Sequence, residues 1–170
     1  SEDRAEEGLF LRMKVVDNLI ATRLDAHARL GVLLWRALRE VASRLAARVG
    51  VDVRRLGSRA DELSGGNQQK LLFGRALERG AAGLLLMNEP TRGVDVGARA
   101  EIYRLMREFC SQGYALVMTS SDLEEVVGIA DVVITMYRGR QVETYVGDAI
   151  DPGKILADIT HPRAGTETAA

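Results

Sequence analysis

A chain of 170 residues with 46% hydrophobic and 28% charged side chains holds enough apolar material for one buried core, with too little charge bias for disorder. Its 23 basic and 24 acidic residues leave a formal net charge of −1, which argues against a dedicated nucleic-acid binder whose affinity rests on phosphate neutralisation. One cysteine, Cys110, makes no internal disulfide and points to a reducing compartment, and the longest apolar run, 81–87, is far short of the ~20 residues that span a bilayer. No charged-then-apolar leader opens the chain, so no export signal is expected. It begins Ser-Glu-Asp-Arg without an initiator Met and is expected to be a piece of something longer.

Residues 1–32 are mixed and turn-prone at first, with an apolar patch Leu9-Phe10-Leu11 and a short helix predicted near Val15 to Ala21. From Leu33 to Val49 apolar residues Leu34, Leu38, Val41 and Leu45 recur at helical steps, and Gly50 is the expected stop. A basic turn, Arg54-Arg55, leads into Leu63. Ser64-Gly65-Gly66 then opens a helix predicted over Asn67 to Arg79. The continuous apolar run Gly83 to Met87 predicts a strand buried on both faces, as in a parallel sheet. Gly97 to Ser111 reads as an amphipathic helix burying Ile102, Leu105, Met106 and Phe109. A strand over Tyr114 to Thr119 follows, then a helix over Asp122 to Ala130 with Leu123, Val126, Val127 and Ala130 on one face. Strands over Val132 to Tyr137 and Gln141 to Val146 come next, and a small polar tail from His161 is expected to fray. This order of helices and strands is the grammar of a layered α/β domain.

Two segments carry chemistry. In Leu63-Ser64-Gly65-Gly66-Asn67-Gln68-Gln69-Lys70, paired glycines let backbone approach a ligand, and a helix N-terminus offers unpaired N–H groups to phosphate. The bland reading of the same residues is a flexible hinge. In Leu84 to Arg92, the carboxylate of Glu89 leaves the C-terminal end of a strand, where α/β sheets bind ligands, and is placed to orient or deprotonate a water. The bland reading there is a polar loop.

Together, in this order, the segments resemble the ATP-binding-cassette (ABC) ATPases. LSGGNQQK is similar to that family's signature motif, and LLLMNEPT to its Walker B strand with the following catalytic carboxylate. Gly93-Val94-Asp95 resembles the D-loop, and Ser121 falls at the switch position. SEDRAEEGLF, EPTRGVDVGARAEIY and TSSDLEEV resemble the second cassette of the tandem two-cassette ATPase subunit of sugar importers, with Glu2 at the Q-loop position. The resemblance implies an α/β fold: a partial nucleotide-binding domain made of a helical subdomain and the C-terminal part of a P-loop NTPase parallel sheet with flanking helices. It divides the chain into a Q-loop-like start and helical subdomain (1–62), a signature helix, Walker B strand and α/β core (63–160), and the tail (161–170). It implies ATP with Mg as cofactor, and a second cassette and a transmembrane permease as partners. It places the protein at the cytoplasmic face of a bacterial inner membrane. Leu63, Ser64, Gly65, Gly66, Asn67 and Gln68 would then meet ATP carried by the opposite cassette. Glu89 would be catalytic, Asn88 would stand at the Mg position, and Asp95 would lie at the interface.

The departures are as informative. A Walker A loop needs GxxxxGK[ST], yet the chain has only Lys14, Lys70 and Lys154, none in that setting. Asn88 stands where a carboxylate is expected, and a neutral amide is a weaker partner for a hard cation. The chain alone is therefore expected neither to hold ATP tightly nor to hydrolyse it, and to supply its signature in trans. The alternatives are a docking module for a permease or partner cassette without nucleotide, a DNA-maintenance ATPase, and a gene remnant. Absent heptads and neutral charge weigh against the DNA reading. His27 and His161 lie far apart and are read as surface or tail residues, Cys110 as packing, Trp35, Leu34 and Leu38 as core in preference to a partner-facing patch, and Arg54-Arg55 as a solvated turn in preference to a contact to the membrane partner.

Overall fold

The computed structural model describes residues 8–22, 24, 28–29, 32–78 and 83–161. Glu2, His27 and the tail beyond His161 lie outside the described residues. The chain divides into two compact units, one ending at Thr119 and the other beginning at Ser120.

The first unit opens with a loop fixed by one buried amide. Asn18 accepts from the Phe10 backbone N–H at 2.9 Å and donates to the carbonyls of Phe10 and Lys14 at 3.0 and 3.1 Å. Both polar atoms of its amide have partners, which is what permits a fully buried side chain here. Asn18 sits in helix α1 (Val15–Ile20); a two-residue ladder β1 (Ala28–Arg29) and β2 (Val32–Leu33) follows, then α2 (Trp35–Arg48). Leu38, Ala42, Leu45 and Ala46 form the buried stripe of α2 at helical spacing. Single turns of tighter helix at Val53–Gly57 and Ala60–Glu62 lead into α3 (Gly65–Glu78). The segments around 11–15 and 58–61 are stitched together: Val15 donates to Ser58 at 2.9 Å, Ala60 to Met13 at 3.0 Å and Asp61 to Leu11 at 3.0 Å. Helices α1, α2 and α3 pack on one another, and Gly74 of α3 is the joint, since a Cβ there would stand 2.9 Å from Leu19 and 3.4 Å from Val49.

Strands β3 (Leu84–Asn88) and β4 (Ala115–Thr119) pair in parallel, connected by α4 (Val96–Ser111). The predicted stripe Ile102, Leu105, Met106 and Phe109 of α4 is buried. Phe109 meets Phe73 of α3 edge-on at 5.9 Å and stacks on Tyr114 at 4.5 Å, which ties α3, α4 and the start of β4 into one core.

The second unit holds α5 (Leu123–Ile129), the antiparallel hairpin β5 (Val132–Tyr137) and β6 (Arg140–Val146), and α6 (Pro152–Thr160). The hairpin packs its Val133 and Thr135 face inward and α6 lies against β5. Asp158 of α6 accepts from Thr135 at 3.0 Å and from the Tyr145 hydroxyl at 2.8 Å, pinning helix to hairpin. That hydrogen bond, with burial and nearby carboxylates added, pushes the Tyr145 phenol up to about 12.

The structure corrects five expectations. Strand β3 is not buried on both faces: exposure alternates, and Leu84 and Leu86 face solvent while Leu85 and Met87 are half-covered, because no described element lies over the outer face of the β3–β4 pair. Trp35 is not core but 65% exposed, since it stands in the first turn of α2, at the end of the buried stripe. Cys110 is exposed, one residue past the buried Phe109. The buried member of α5 is Glu125, not the apolar stripe, because Ser120 donates to its carboxylate and its N–H is capped by Asp122. Helix α3 starts at Gly65, two residues before the expected Asn67, so the glycines expected to open the helix are its first turn and the alternative of a hinge falls.

Candidate functional site

Ser64 is exposed and precedes the first residue of α3. Its carbonyl accepts the first helical bond from Gln68 at 2.9 Å, and its hydroxyl accepts from the Asn67 side chain at 3.1 Å and, at 3.4 Å, from the Asn67 N–H. This is the behaviour of an N-cap. Leu63 is buried as the anchor behind it, and the Gln68 amide donates to the carbonyls of Ala60 and Leu63, both at 3.2 Å. The helix start is thus held from below, and its solvent side is left to Ser64 and the half-exposed Gly65 and Asn67.

Gly66 is where the site is tightest. A Cβ at this position would stand 2.4 Å from the Cβ of Ala98 and 3.7 Å from Val94. Glycine is therefore required by a close approach of α3 to the first turn of α4, not by an unusual backbone angle. Asp95 caps α4, accepting from the Ala98 N–H at 2.9 Å. The structure thus brings Gly66 of the signature segment against Val94 and Ala98, on either side of Asp95. Deeper in the same helix pair, buried Lys70 forms an ion pair with Glu101 of α4.

The end of β3 is the second part. Glu89 has φ +47°, a left-handed backbone that is costly for a side chain other than glycine and that turns the chain sharply off the strand. Its N–H is held by Thr119 at 2.9 Å, and buried Pro90 and Thr91 fix the turn that follows. Glu89 itself is half-buried. Asn88, directly opposite Thr119 in the ladder, accepts a hydrogen bond from the Thr119 hydroxyl through its side-chain oxygen. That oxygen is the one a cation would need. Among the described residues no three His, Cys, Asp or Glu side chains come together in a way that could hold a metal ion. Of the lysines, Lys70 is paired with Glu101 and Lys154 lies on α6.

Ser121 is exposed in the second unit, between Ser120, which donates to Glu125, and Asp122, which caps α5. His161 is exposed at the end of α6. Four residues with such contacts escaped the sequence reading: Thr119, Ala98 and Glu101 in the first unit, and Glu125 in the second. Each matters through a contact from 5 to about 32 positions away along the chain; only Asp122–Glu125 carries a local signal, that of a cap and its third residue.

The chain is 41% identical over 169 residues to the ribose import ATP-binding protein RbsA 2 of Burkholderia ambifaria, covering 99% of this chain and 33% of that protein. It is 43% identical over 140 residues to the ribose import ATP-binding protein RbsA of Yersinia pestis, covering 82% of this chain and 27% of that one. The chain is a relative of the sugar-import ABC ATPases. It spans about a third of the length of the curated relatives it matches. No protein-family model matches it. Among solved structures, a nucleotide-free ATP-binding cassette from an ABC transporter superimposes with a TM-score of 0.71 at 20% identity, over 91% of this chain and 64% of that one. A dimeric cassette in a post-hydrolysis state, bound to ADP and Pi, superimposes with a TM-score of 0.68 at 20% identity, over 81% of this chain and 58% of that one. The fold is that of a partial ABC-type nucleotide-binding domain, mixed α/β with small sheets. No helix among the described residues is long and apolar enough to cross a membrane.

Proposed function

We propose that the chain is part of the ATP-binding subunit of an ABC importer for sugars, and that it works by presenting its signature turn to an ATP held by a second cassette. The observation that carries this reading is the exposed Ser64 at the start of a 14-residue helix in which Gly65 and Asn67 are half-exposed while Gly66 is buried against Ala98. Backbone N–H groups at such an end favour an anion, and each charge-assisted bond to phosphate is worth roughly 1.5–3 kcal/mol. Leu63, Gln68 and the Gly66–Ala98 contact hold the turn rigid, so little ordering is needed when phosphate arrives. Asp95, capping the helix that Gly66 touches, lies at the same junction and is assigned to the inter-cassette interface. Glu89 is assigned the role of orienting or deprotonating a water once a partner supplies nucleotide and cation. The segment from about Leu9 to Arg59 is assigned to contact with a transmembrane permease, which places the protein on the cytoplasmic face of the membrane.

The isolated chain is expected to show no ATP binding in the micromolar range and no turnover. Adding a cassette with an intact Walker A loop and a disabled signature should restore turnover, and Ser64→Arg should abolish that rescue. Micromolar ATP affinity of the chain alone, with turnover that vanishes in Glu89→Gln, would overturn the reading. The Thr119 hydrogen bond on Asn88 favours a second reading, a docking module that needs no nucleotide. Binding to a permease that is indifferent to ATP decides for it.

A further inference from the structure

The α3–α4 junction holds a charge that packing alone does not call for. Lys70 lies four residues after Gly66 on α3, and Glu101 three residues after Ala98 on α4, so each follows the glycine contact along the same side of its helix. The two helices meet at three levels: Gly66 with Ala98, Lys70 with Glu101, and Phe73 with Phe109. The outer two levels are apolar. The middle one places an ammonium on a side chain that is only 9% exposed.

The end of α2 is the third neighbour of this ammonium. The Gly50 N–H donates to the Ala47 carbonyl at 3.2 Å and the Val51 N–H to the Ala46 carbonyl at 2.8 Å, with Gly50 at φ +70°, the geometry of a Schellman stop. A Cβ on Gly50 would stand 3.8 Å from Lys70 Nζ. The ammonium thus sits at the negative end of α2, while its carboxylate partner comes from α4. Arg48, the last residue of α2, reaches α4 as well, donating to the side-chain oxygen of Gln112. One side chain, Lys70, therefore touches the ends or flanks of α2, α3 and α4.

Stability is a poor explanation for such a pair, because desolvation offsets much of the attraction and apolar residues of similar size often do as well. What the pair adds is direction. Apolar contacts at Gly66 and Phe73 tolerate a small rotation of α3 about its own axis, whereas a buried charge with a fixed partner opposes it. Ser64 stands at the start of α3 and Asp95 at the start of α4, so this rotation is what changes their relative placement. Side chains reach about 5–6 Å from a helix axis, and a rotation of about 20° carries their ends through about 2 Å. A misplacement of about 1 Å at a reacting site costs about 100-fold in rate.

We propose that Lys70 is a positioning residue: paired with Glu101 and seated on the end of α2, it fixes the rotation of α3 against α4 and so the placement of Ser64 relative to Asp95. The consequence for turnover rests on the cassette reading, whereas the geometric consequence does not. Two measurements test it. In amide NMR spectra of the full 170-residue chain, Lys70→Met should shift or split the resonances of Ser64, Asp95 and Val96, each at least five residues from either member of the pair, with circular dichroism unchanged. In the rescue of a cassette that has an intact Walker A loop and a disabled signature, Lys70→Met should lower kcat at least about tenfold. The ATP concentration for half-maximal turnover should change less than about twofold, since the partner cassette holds the nucleotide. The double variant Lys70→Met, Glu101→Gln should lose no more than Lys70→Met alone. Glu101→Ala, the less stable single variant, should lose kcat to the same extent, whereas a merely structural pair would make the loss follow the urea midpoint. Unmoved Ser64, Asp95 and Val96 resonances in Lys70→Met overturn the proposal, as does parent-level kcat in that variant or a kcat loss that tracks stability. Absence of rescue by the parent chain would instead overturn the cassette reading, and the resonances alone would then decide for or against Lys70.

Discussion

Gly66 and Tyr145 show how much a single side chain decides here. At Gly66, alanine would gain up to about 1 kcal/mol in helix propensity, but a Cβ placed 2.4 Å from that of Ala98 forces α3 and α4 apart. Overpacking of this kind costs about 1–3 kcal/mol, so the clash wins. Gly66→Ala should lower stability in urea unfolding, and Ala98→Gly in the same chain should recover most of the loss, a non-additivity expected only of touching residues. Tyr145 is decided by Asp158. Its phenol is raised from 10.0 to about 12, because the hydroxyl donates to the carboxylate in the folded chain. A group whose folded value is raised contributes stability fully below its unfolded value. That contribution is therefore intact below pH 10 and lost as pH climbs toward 12. In an alkaline absorbance titration of the four tyrosines, the last step should disappear in Tyr145→Phe.

Between elements, the α3–α4 junction carries the proposed site, and its ion pair is asymmetric. The Lys70 side chain is 9% exposed and Glu101 is 55% exposed. Removing Glu101 strands a buried ammonium, whereas removing Lys70 returns a carboxylate to water. Glu101→Ala should therefore cost about 1–3 kcal/mol, and Lys70→Met less than about 1 kcal/mol, by chemical denaturation. The reverse order would mean that the pair is not what holds Lys70 in place. The strand ends are equally local. The left-handed Glu89 and the Asn88–Thr119 bond both arise because β3 runs beside β4 in register, Asn88 against Thr119.

For the molecule as a whole, the decisive feature is the uncovered side of the β3–β4 pair. Leu84, Leu86 and Val117 are exposed there, with Leu86 at 69%, a contiguous apolar face of the kind that promotes association. The chain covers 64% of one solved cassette and 58% of another. Leu86→Asn should raise the soluble fraction in a concentration series and change the melting free energy by no more than about 0.5 kcal/mol, since the side chain has little burial to lose. A large loss of stability in this variant would mean that the face is covered in the folded chain.

By itself the sequence determined the family resemblance, the α/β grammar and the buried stripe of α4, because period, strand-bounding glycines and motif order are all local along the chain. Helix α6 escaped the sequence reading, although Asp151 and Pro152 carry the local signal of a helix start. Only the tertiary structure decided that Trp35 faces water and Glu125 does not. Only it showed that Gly66 is a contact glycine rather than a hinge, and that Asn88 is engaged by Thr119. Burial and pairing across α3, α4 and the β3–β4 ladder join residues some thirty positions apart, and periodicity along one segment carries no information about which distant side chain will meet it.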